Sequence, residues 1–383
     1  MTETHLRGRI VTTTGELPDG VVTVAGARIA SVLPYSEWGV AHPTAEPPEP
    51  CPILLPGMVD IHNHGGGGHS FATTDPAEAG QAAAHHHAHG TTTLVASLVT
   101  AEPDTMLAQV RALRTLVEHH VIAGIHCEGP FLAATRCGAH NPRLLREPDP
   151  AYARLLIDAA GGALRMVTMA PELPGFADTA AALRAAGVRV ALGHSAADYA
   201  DFAAALHPLG PAGVVTHLAN GMPPLHHRAP GPVAAALLAA SRGDVTIELI
   251  ADGVHLDTRF AAMVFAAAPR SVALVTDAMA AAGMGDGTYR LGPETVVVCD
   301  GVARTGTGSL AGGTGHQIDL VAKMWRDGGV PLVDAVRAAT ATPAAALGLT
   351  DVGELRAGRY ADLIVTDHRL HPIRVLRRGV WLT

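Results

Sequence analysis

The sequence predicts an α/β protein: a (β/α)8 TIM-type barrel joined to a small β-sandwich domain that is built from both chain termini. Eight short apolar runs alternate with helical patterns through the middle of the chain, and this alternation specifies a closed parallel barrel better than an open sheet. The two ends, in contrast, contain strand-like runs without intervening helices. No G-x-G-x-x-G motif follows the first run of the middle region, which argues against a dinucleotide-binding fold.

The terminal strands define the proposed domain boundaries. They are predicted at Gly8–Thr13, Val21–Ala25, Arg28–Pro34, Asp362–Asp367 and Ile373–Leu382. A proline-rich connector, residues 43–52, separates the first three from the barrel. We therefore expect residues 1–55 and 350–383 to form the small domain and residues 56–349 to form the barrel.

The barrel strands are predicted from the eight apolar runs. These runs are Met58–His62, Thr92–Val99, Ile122–Cys127, Arg165–Ala170, Arg189–Gly193, Gly213–Thr216, Val245–Ile250 and Val272–Thr276. Helical patterns between them include Thr105–His119, Phe176–Ala186, Val233–Arg242 and Arg259–Ala268.

Composition excludes several classes of protein. The 383 residues carry a net charge of −8 and no basic stripe, so nucleic acid is not expected as a partner. Four cysteines form no CxxC pair, which is typical of free thiols in a reducing compartment. The first residues lack a secretory leader pattern, and no stretch is long and apolar enough to span a membrane. We expect a soluble, cytoplasmic protein that does not bind membranes.

Two histidines lie at the end of the first barrel run, one residue apart. His62 and His64 share one face of a strand because alternate side chains point the same way. Four glycines follow, and they allow the backbone to turn sharply after the strand. Two imidazoles on one rigid strand suit a divalent metal such as zinc, although an isolated HxH motif lacks any metal-binding role about equally often.

Similar polar residues follow later runs. They are Glu128 after the third, His194 after the fifth, His217 after the sixth, Asp252 and His255 after the seventh, and Asp277 after the eighth. In a barrel these strand ends lie on one face, where barrel active sites form, so their convergence predicts a metal centre. Histidine and carboxylate ligands with an open coordination position activate water at neutral pH.

The ligand types allow one or two ions. Glu128 can bridge two metals, with His194 and His217 holding one and His62 and His64 holding the other. Zn²⁺ is the ion most expected. Asp277 is predicted to be either a metal ligand only or the carboxylate that takes a proton from water and returns it to a leaving group. These two roles are compatible.

The ordered set of motifs resembles the amidohydrolase superfamily and, within it, the N-acetylglucosamine-6-phosphate deacetylase family. The motifs are His126-Cys127-Glu128-Gly129-Pro130-Phe131, Gly138-Ala139-His140-Asn141-Pro142, Leu192-Gly193-His194-Ser195, Thr216-His217-Leu218-Ala219-Asn220-Gly221-Met222-Pro223, Ala251-Asp252-Gly253-Val254-His255 and Thr276-Asp277-Ala278. The resemblance runs nearly from end to end of the chain. Some relatives lack an intact HxH pair and work with one metal, whereas here both histidines are present.

The resemblance implies roles for individual residues. Glu128, His194 and His217 match the core metal ligands, Asp277 the catalytic acid/base, and His140 a histidine that orients the acetyl group. Substrate contacts are implied for Ala139, His140, Asn220, Gly221, Arg228, Asp252, Gly253, Val254, His255, Leu310, Ala311 and Gly312. Arg228 matches the phosphate-binding arginine, and a guanidinium suits a phosphate because it offers two parallel donors.

The implied reaction is metal-dependent hydrolysis of the acetamide of N-acetylglucosamine-6-phosphate to glucosamine-6-phosphate and acetate. This is a hydrolysis of a carbon–nitrogen bond in a linear amide, in amino-sugar catabolism and cell-wall sugar recycling. The resemblance also implies a homodimer in which Arg228 and His255 reach the neighbour's site.

Three alternatives remain open from the residues alone. One is the same reaction on N-acetylgalactosamine-6-phosphate, since the configuration at C4 cannot be read from the sequence. Another is a cyclic-amide or base-deaminating amidohydrolase, which often needs a carboxylated strand lysine; the only lysine, Lys323, falls in a late helix. The third is a non-catalytic scaffold, although the complete ligand set argues against it.

Two further features are read as structural. The histidine-rich stretch 85–89 is predicted to end a helix, with side chains that do not converge and with partly protonated rings that suit the helix dipole. Cys137, in the segment before His140, is read as an ordinary loop cysteine rather than a redox group.

Overall fold

The terminal strands join in one sheet. The structure, a computed structural model, describes residues 3–382. Its terminal sheet has seven strands, which are Glu3–Val11, Glu16–Ala25, Arg28–Pro34, Pro50–Pro56, Leu363–Thr366, Pro372–Arg377 and Val380–Trp381. Leu363–Thr366 pairs antiparallel with Pro50–Pro56, so the two ends of the chain meet directly.

This sheet has an apolar core of its own. Ile10, Val22 and Leu54 from the first part of the chain pack with Leu363 and Leu376 from the last part. The predicted sandwich therefore takes the form of one continuous hydrogen-bonded sheet. The domain boundaries 1–55 and 350–383 stay a proposal. They are consistent with the strand Pro50–Pro56, which ends just before the first barrel strand.

The middle of the chain forms the predicted eight-stranded parallel sheet in sequential order. Its strands are Val59–Asn63, Thr93–Leu98, Gly124–Glu128, Leu164–Met169, Arg189–Leu192, Val214–Val215, Thr246–Leu249 and Val272–Leu274. The ring closes where Asp277 N donates to His62 O at 2.9 Å and His64 N donates to Ala278 O at 2.7 Å. All eight carboxyl ends consequently face the same side of the barrel.

Helices surround the barrel. They are Tyr35–Ala41, Pro76–Ala88, Pro103–Glu118, Pro150–Ala160, Phe176–Ala185, Tyr199–Leu206, Gly231–Ser241, Thr258–Ala267, Gln317–Arg326, Leu332–Ala338 and Ala341–Ala346, with 3₁₀ turns at Ala134–Arg136, Pro142–Leu144 and Gly210–Ala212. Several begin at an aspartate that accepts a backbone N–H, for example Asp75 and Asp149, which satisfies donors left free by the first turn. No helix within residues 3–382 is long and apolar enough to cross a membrane.

Two small sheets lie at the carboxyl end of the barrel. Gly65–Gly66 and His69–Ser70 form a hairpin directly after the HxH pair, where Gly67 and Gly68 have positive φ angles of 62° and 86°. A three-stranded sheet of Gly287–Leu291, Glu294–Cys299 and Val302–Thr305 follows the eighth barrel strand. The opposite end of the barrel is closed by apolar residues that include Ala344 and Leu347.

Candidate metal centre and active site

Glu128 lies at the centre of the convergent strand ends. Its Oε1 is 3.0 Å from His194 Nε2 and 2.8 Å from His217 Nε2. Its Oε2 is 3.2 Å from both His64 Nε2 and His140 Nε2. Oε1 also lies 3.6 Å from His62 Nε2, so this one carboxylate faces five imidazoles.

Asp277 completes the group around the HxH pair. Its Oδ1 is 3.1 Å from His64 Nε2 and 3.4 Å from His62 Nε2. The two Nε2 atoms of His62 and His64 are themselves 3.1 Å apart, as are those of His194 and His217. All six predicted metal ligands thus meet in one buried place, in two sub-groups that share Glu128.

Hydrogen bonds on the far sides of the rings fix their tautomers. His64 Nδ1 is 3.1 Å from the carbonyl oxygen of Ser97, and His194 Nδ1 is 2.7 Å from that of Arg136. A carbonyl oxygen only accepts, so each Nδ1 must carry its proton and the neutral ring presents an Nε2 lone pair to the site. Metal-ligating histidines are held in this way.

The carboxylates and imidazoles shift one another's pKa values. Burial lowers the pKa of His62, but the negative charges of Glu128, Asp277 and Glu248 outweigh it and raise that pKa well above its usual value. The pKa values of His64 and His194 are likewise raised, because hydrogen bonds to these carboxylates exceed the effect of burial. Burial would raise the pKa of Asp277, yet His62 and His64 hold it below its usual range.

These residues fit a divalent metal. The Nε2 lone pairs and carboxylate oxygens converge without an arginine or lysine among the residues of the described chain that line the site. Two buried carboxylates this close together, Glu128 and Asp277, require positive charge nearby. Protonated imidazoles supply that charge in the metal-free chain, and a bound cation supplies it in the metal-bound chain. Histidine nitrogen with carboxylate oxygen is a donor set typical of catalytic zinc sites.

Three of the predicted metal ligands lie in the left-handed backbone region. The φ angles of His194, His217 and Asp277 are 47°, 25° and 46°. Such angles cost free energy in residues with a Cβ and are concentrated at functional sites, where the surrounding structure enforces them. Here each residue follows directly or closely after a barrel strand, and the unusual angle turns its side chain toward the shared centre.

A cavity of about 300 Å³ opens above the ligands. Of the predicted substrate residues, those lining it are Ala139, His140, Asn220, Gly221, His255, Leu310 and Gly312. Its size falls at the lower end of small-molecule sites. Asp277 is only 9% exposed but faces this space, so it is the acidic group best placed to meet a ligand together with Glu128.

The other predicted substrate residues do not line the cavity within the single chain. Ala311 is fully buried behind it, and Gly253 and Val254 are exposed outside it. Asp252 supports the site indirectly, because its Oδ2 is 2.8 Å from His255 Nδ1. Arg228 is exposed on the loop that follows Asn220 and Gly221.

His140 is held by groups that the sequence did not reveal. Thr100 N donates to His140 Nδ1 at 3.3 Å, and Thr100 Oγ1 is 3.0 Å from the same atom. Because Nδ1 accepts from a backbone N–H, the ring proton lies on Nε2, which faces the cavity side of Glu128. Burial lowers the pKa of His140, with Glu128 opposing this shift, so the ring is neutral.

Glu248 is a second residue in contact with the site that the sequence did not reveal. It is fully buried in the seventh barrel strand, and its Oε2 is 3.0 Å from His62 Nδ1. The available signal was a charged residue within the otherwise apolar run Val245–Ile250. Thr100, a common residue after a strand, carried no comparable signal.

The histidine-rich stretch 85–89 was predicted correctly as a helix end but wrongly in its details. His85 and His89 are four residues apart and therefore share a helix face, where they meet His316; His85 Nε2 is 3.0 Å from His316 Nε2. The rings are also not partly protonated. Burial lowers the pKa of His85 to about 4 and that of His86 to about 3.

Comparisons with known proteins agree with this arrangement. A model of the amidohydrolase family matches residues 53–381. The N-acetylgalactosamine-6-phosphate deacetylase of Escherichia coli O157:H7 is 34% identical over 99% of both chains, and the N-acetylglucosamine-6-phosphate deacetylase of Vibrio furnissii is 36% identical over 91% of this chain and 87% of its own.

Solved structures give the same result. A mutant N-acetyl-D-glucosamine-6-phosphate deacetylase from Mycobacterium smegmatis, in complex with N-acetyl-D-glucosamine-6-phosphate, superposes with a TM-score of 0.94 at 41% identity over all of both chains. The Thermotoga maritima N-acetylglucosamine-6-phosphate deacetylase gives a TM-score of 0.87 at 28% identity over 100% of this chain and 99% of its own. With its ligand set, its barrel and these relatives, the chain belongs to the amidohydrolase family.

Proposed function

We propose that this protein is an N-acetylglucosamine-6-phosphate deacetylase, an enzyme of amino-sugar metabolism that hydrolyses the acetamide to glucosamine-6-phosphate and acetate. The observation that carries the proposal is the convergence of Glu128, Asp277 and His140 with the metal-ligand histidines beneath one cavity. The full-length likeness to a solved deacetylase bound to this sugar phosphate supports the choice of substrate.

Asp277 acts as the proton carrier in this reaction. Its carboxylate accepts a proton from water as the water oxygen bonds to the acetyl carbon, and it returns that proton to the nitrogen as the carbon–nitrogen bond breaks. The lowered pKa of Asp277 keeps it ionised before the reaction, as this first role requires. Its position between His62, His64 and the cavity supports both roles.

His140 stabilises the oxygen of the acetyl group. The tautomer fixed by Thr100 leaves an Nε2–H donor beside Glu128 Oε2, 3.2 Å away. A donor preorganised in this manner favours the tetrahedral oxyanion over the planar amide because negative charge develops on that oxygen. The lowered pKa of His140 means that it donates as a neutral ring.

The ligand set suits two Zn²⁺ ions per chain. His194 and His217 with Glu128 would hold one, and His62, His64 and Asp277 with the same Glu128 would hold the second. When bound, zinc supplies Lewis-acid chemistry that polarises a carbonyl and makes water more acidic. Elemental analysis of the purified protein measures both the identity and the number of the ions.

The phosphate group needs a cation that the cavity itself does not offer. The described residues lining the cavity include histidines but no arginine or lysine. Arg228 is exposed on the adjoining loop. Two apolar residues are each 44% exposed at the same end of the barrel: Leu225 in that loop and Val254 in the loop after the seventh barrel strand. We therefore propose a homodimer in which Arg228 contributes to the partner's site. His255, which the resemblance also assigned to the neighbour's site, lines the cavity of its own chain instead.

Acetate release tests the proposed substrate. N-acetylglucosamine-6-phosphate, N-acetylgalactosamine-6-phosphate and unphosphorylated N-acetylglucosamine are compared at equal concentration, with metal content measured on the same sample. Preference for the first is the expected result. Preference for the second would instead favour the activity in the name of the E. coli relative, and equal rates with the unphosphorylated sugar would contradict the role of Arg228.

Subunit mixing tests the shared site. The Asp277→Asn and Arg228→Ala variants are each expected to have little activity, but a random mixture contains hybrid dimers. If Arg228 acts across the interface, each hybrid regains one complete site and the mixture reaches about a quarter of wild-type activity, since about half of the dimers are hybrids. If Arg228 acts within its own chain, mixing restores no activity.

A cytoplasmic location stays a prediction, to be tested by fractionation of the source cell.

A further inference from the structure

Glu248 lies beneath the metal centre rather than in it. It belongs to the seventh barrel strand, Thr246–Leu249, and no part of it is exposed. Its Oε2 is 3.0 Å from His62 Nδ1 and 3.2 Å from the backbone N of His217. One carboxylate oxygen therefore contacts a ligand from each of the two sub-groups that share Glu128.

We propose that Glu248 is a positioning residue that holds His62 and His217 in their metal-binding orientation and supports occupancy of the His62–His64 sub-group. His62 Nδ1–H donates to Glu248, so its Nε2 lone pair faces Asp277 and Glu128. The bond to His217 N fixes the backbone of a residue whose φ of 25° is otherwise unfavourable. This inference rests on the proposed metal-dependent function.

His62 differs from the other ligand histidines in the partner on its far side. His64 and His194 donate to backbone carbonyls, whereas His62 donates to a carboxylate. A carboxylate partner makes an imidazole a stronger electron donor than a neutral carbonyl does, and it adds a negative charge near the cation. Glu248 therefore strengthens one sub-group selectively.

The burial of Glu248 supports a role that goes beyond packing. A fully buried carboxylate is costly without a compensating cation, and no arginine or lysine of the described chain forms an ion pair with it. The described partners of the carboxylate are His62 Nδ1 and the backbone N of His217, both at Oε2, while Oε1 has no described partner. A group retained only to join strands would not need a charge at this position.

Zinc titration of the Glu248→Gln variant tests the proposal without relying on turnover. Glutamine has nearly the same shape and still presents an oxygen to His62, so the variant removes the charge and leaves the packing. The expected result is that zinc held by the His62–His64 sub-group loses about 10- to 100-fold in affinity, while zinc held by His194 and His217 changes much less. Unchanged affinity at both sites would overturn the inference.

Thermal unfolding of the zinc-free protein separates positioning from simple structural support. If Glu248 serves the metal, the gain in melting temperature on adding zinc is smaller for Glu248→Gln than for wild type, whatever the melting temperature of the zinc-free variant. If Glu248 only joins strands, the zinc-free variant melts lower and the gain on adding zinc is unchanged, which also overturns the inference. Glu248→Ala, which removes the hydrogen bond as well, should weaken zinc binding further.

Asp362→Asn provides the matched control. Asp362 is also a buried carboxylate, but it lies at the small domain, where its Oδ1 accepts from Arg378 N at 2.7 Å. This variant should leave both zinc affinities unchanged. A wild-type chain that binds zinc but releases no acetate would contradict the proposed reaction and leave the role of Glu248 in zinc binding intact.

Discussion

Two groups of histidines within residues 3–382, one buried and one half-buried, differ in whether they suit a metal. The centre around Glu128 combines imidazoles with buried carboxylates, whereas the histidine-rich helix end brings His85, His89 and His316 together. At the centre the pKa values of His62, His64 and His194 are raised, while at the helix end those of His85 and His86 are lowered. The same side chain therefore has opposite proton affinities in two parts of one protein.

The carboxylates account for the difference. Burial lowers the pKa of the imidazole in both places, but at the centre the negative charges of Glu128 and Asp277 outweigh it. At the helix end the main neighbours of His85 are other histidines, and Asp319 is 3.4 Å from His316 on the outer side. His89 and His316 also stack with ring centroids 3.9 Å apart and planes inclined by 8°, so their in-plane lone pairs do not point to one position. Histidine number alone does not predict a metal site.

The largest effect is expected from Asp277→Asn. Asparagine keeps the size of the side chain but cannot carry the proton from water to the amine, so kcat should fall by about 10²- to 10⁴-fold with the fold intact. Steady-state acetate release measures this change, and circular dichroism checks the fold. The matched variant at the other histidine group, His89→Gln, should stay within about twofold of wild type. Full activity of Asp277→Asn would contradict the assigned role.

Glu128→Gln is expected to remove most of the bound metal. Both sub-groups of ligands share this carboxylate, so zinc affinity should fall at both sites, by about 100-fold or more since a ligand rather than an outer partner is changed. His85→Gln, at the helix end, should leave zinc content unchanged. Elemental analysis after dialysis against a weak chelator distinguishes the two variants. Loss of zinc from His85→Gln would show that the comparison between the two groups is wrong.

Zinc binding should release protons at neutral pH. In the metal-free chain the pKa values of His62, His64 and His194 are raised, so their rings hold protons that the metal must displace. Apparent affinity should therefore rise with pH until these groups have lost their protons. Calorimetric titration at pH 7 in two buffers of different ionisation enthalpy counts the protons released. Identical heats in both buffers would mean that the site is already deprotonated.

The smallest effect concerns acid stability and comes from His86. Its pKa is lowered by burial to about 3 in the folded chain, against an ordinary value of 6.5, so the unfolded chain binds more protons between these values. The contribution of His86 to stability is present above pH 6.5 and is lost as pH falls toward 3. Denaturant unfolding of the metal-free protein measures this contribution. Between pH 7 and 4.5, the free energy of unfolding of His86→Gln should fall by roughly 1–3 kcal/mol less than that of wild type. Parallel pH profiles would contradict this explanation.

Local sequence patterns predicted the parts of the site that depend on strand geometry. His62 and His64 share a face because side chains alternate along a strand, and Glu128, His194, His217 and Asp277 converge because parallel barrel strands end on one side. The same reasoning could not find Glu248 or the partner of His85. Glu248 is 186 residues from His62 in the sequence, and His316 is 231 residues from His85.

The sequence by itself determined the α/β barrel, the joining of the two ends in one β domain and which histidines and carboxylates follow the barrel strands, because these depend on periodicity and on residue type. Only the tertiary structure decided which histidines face carboxylates and which face one another, because that depends on contacts between distant strand ends. Those contacts, through burial and charge, determine whether a histidine holds a proton, a metal or neither.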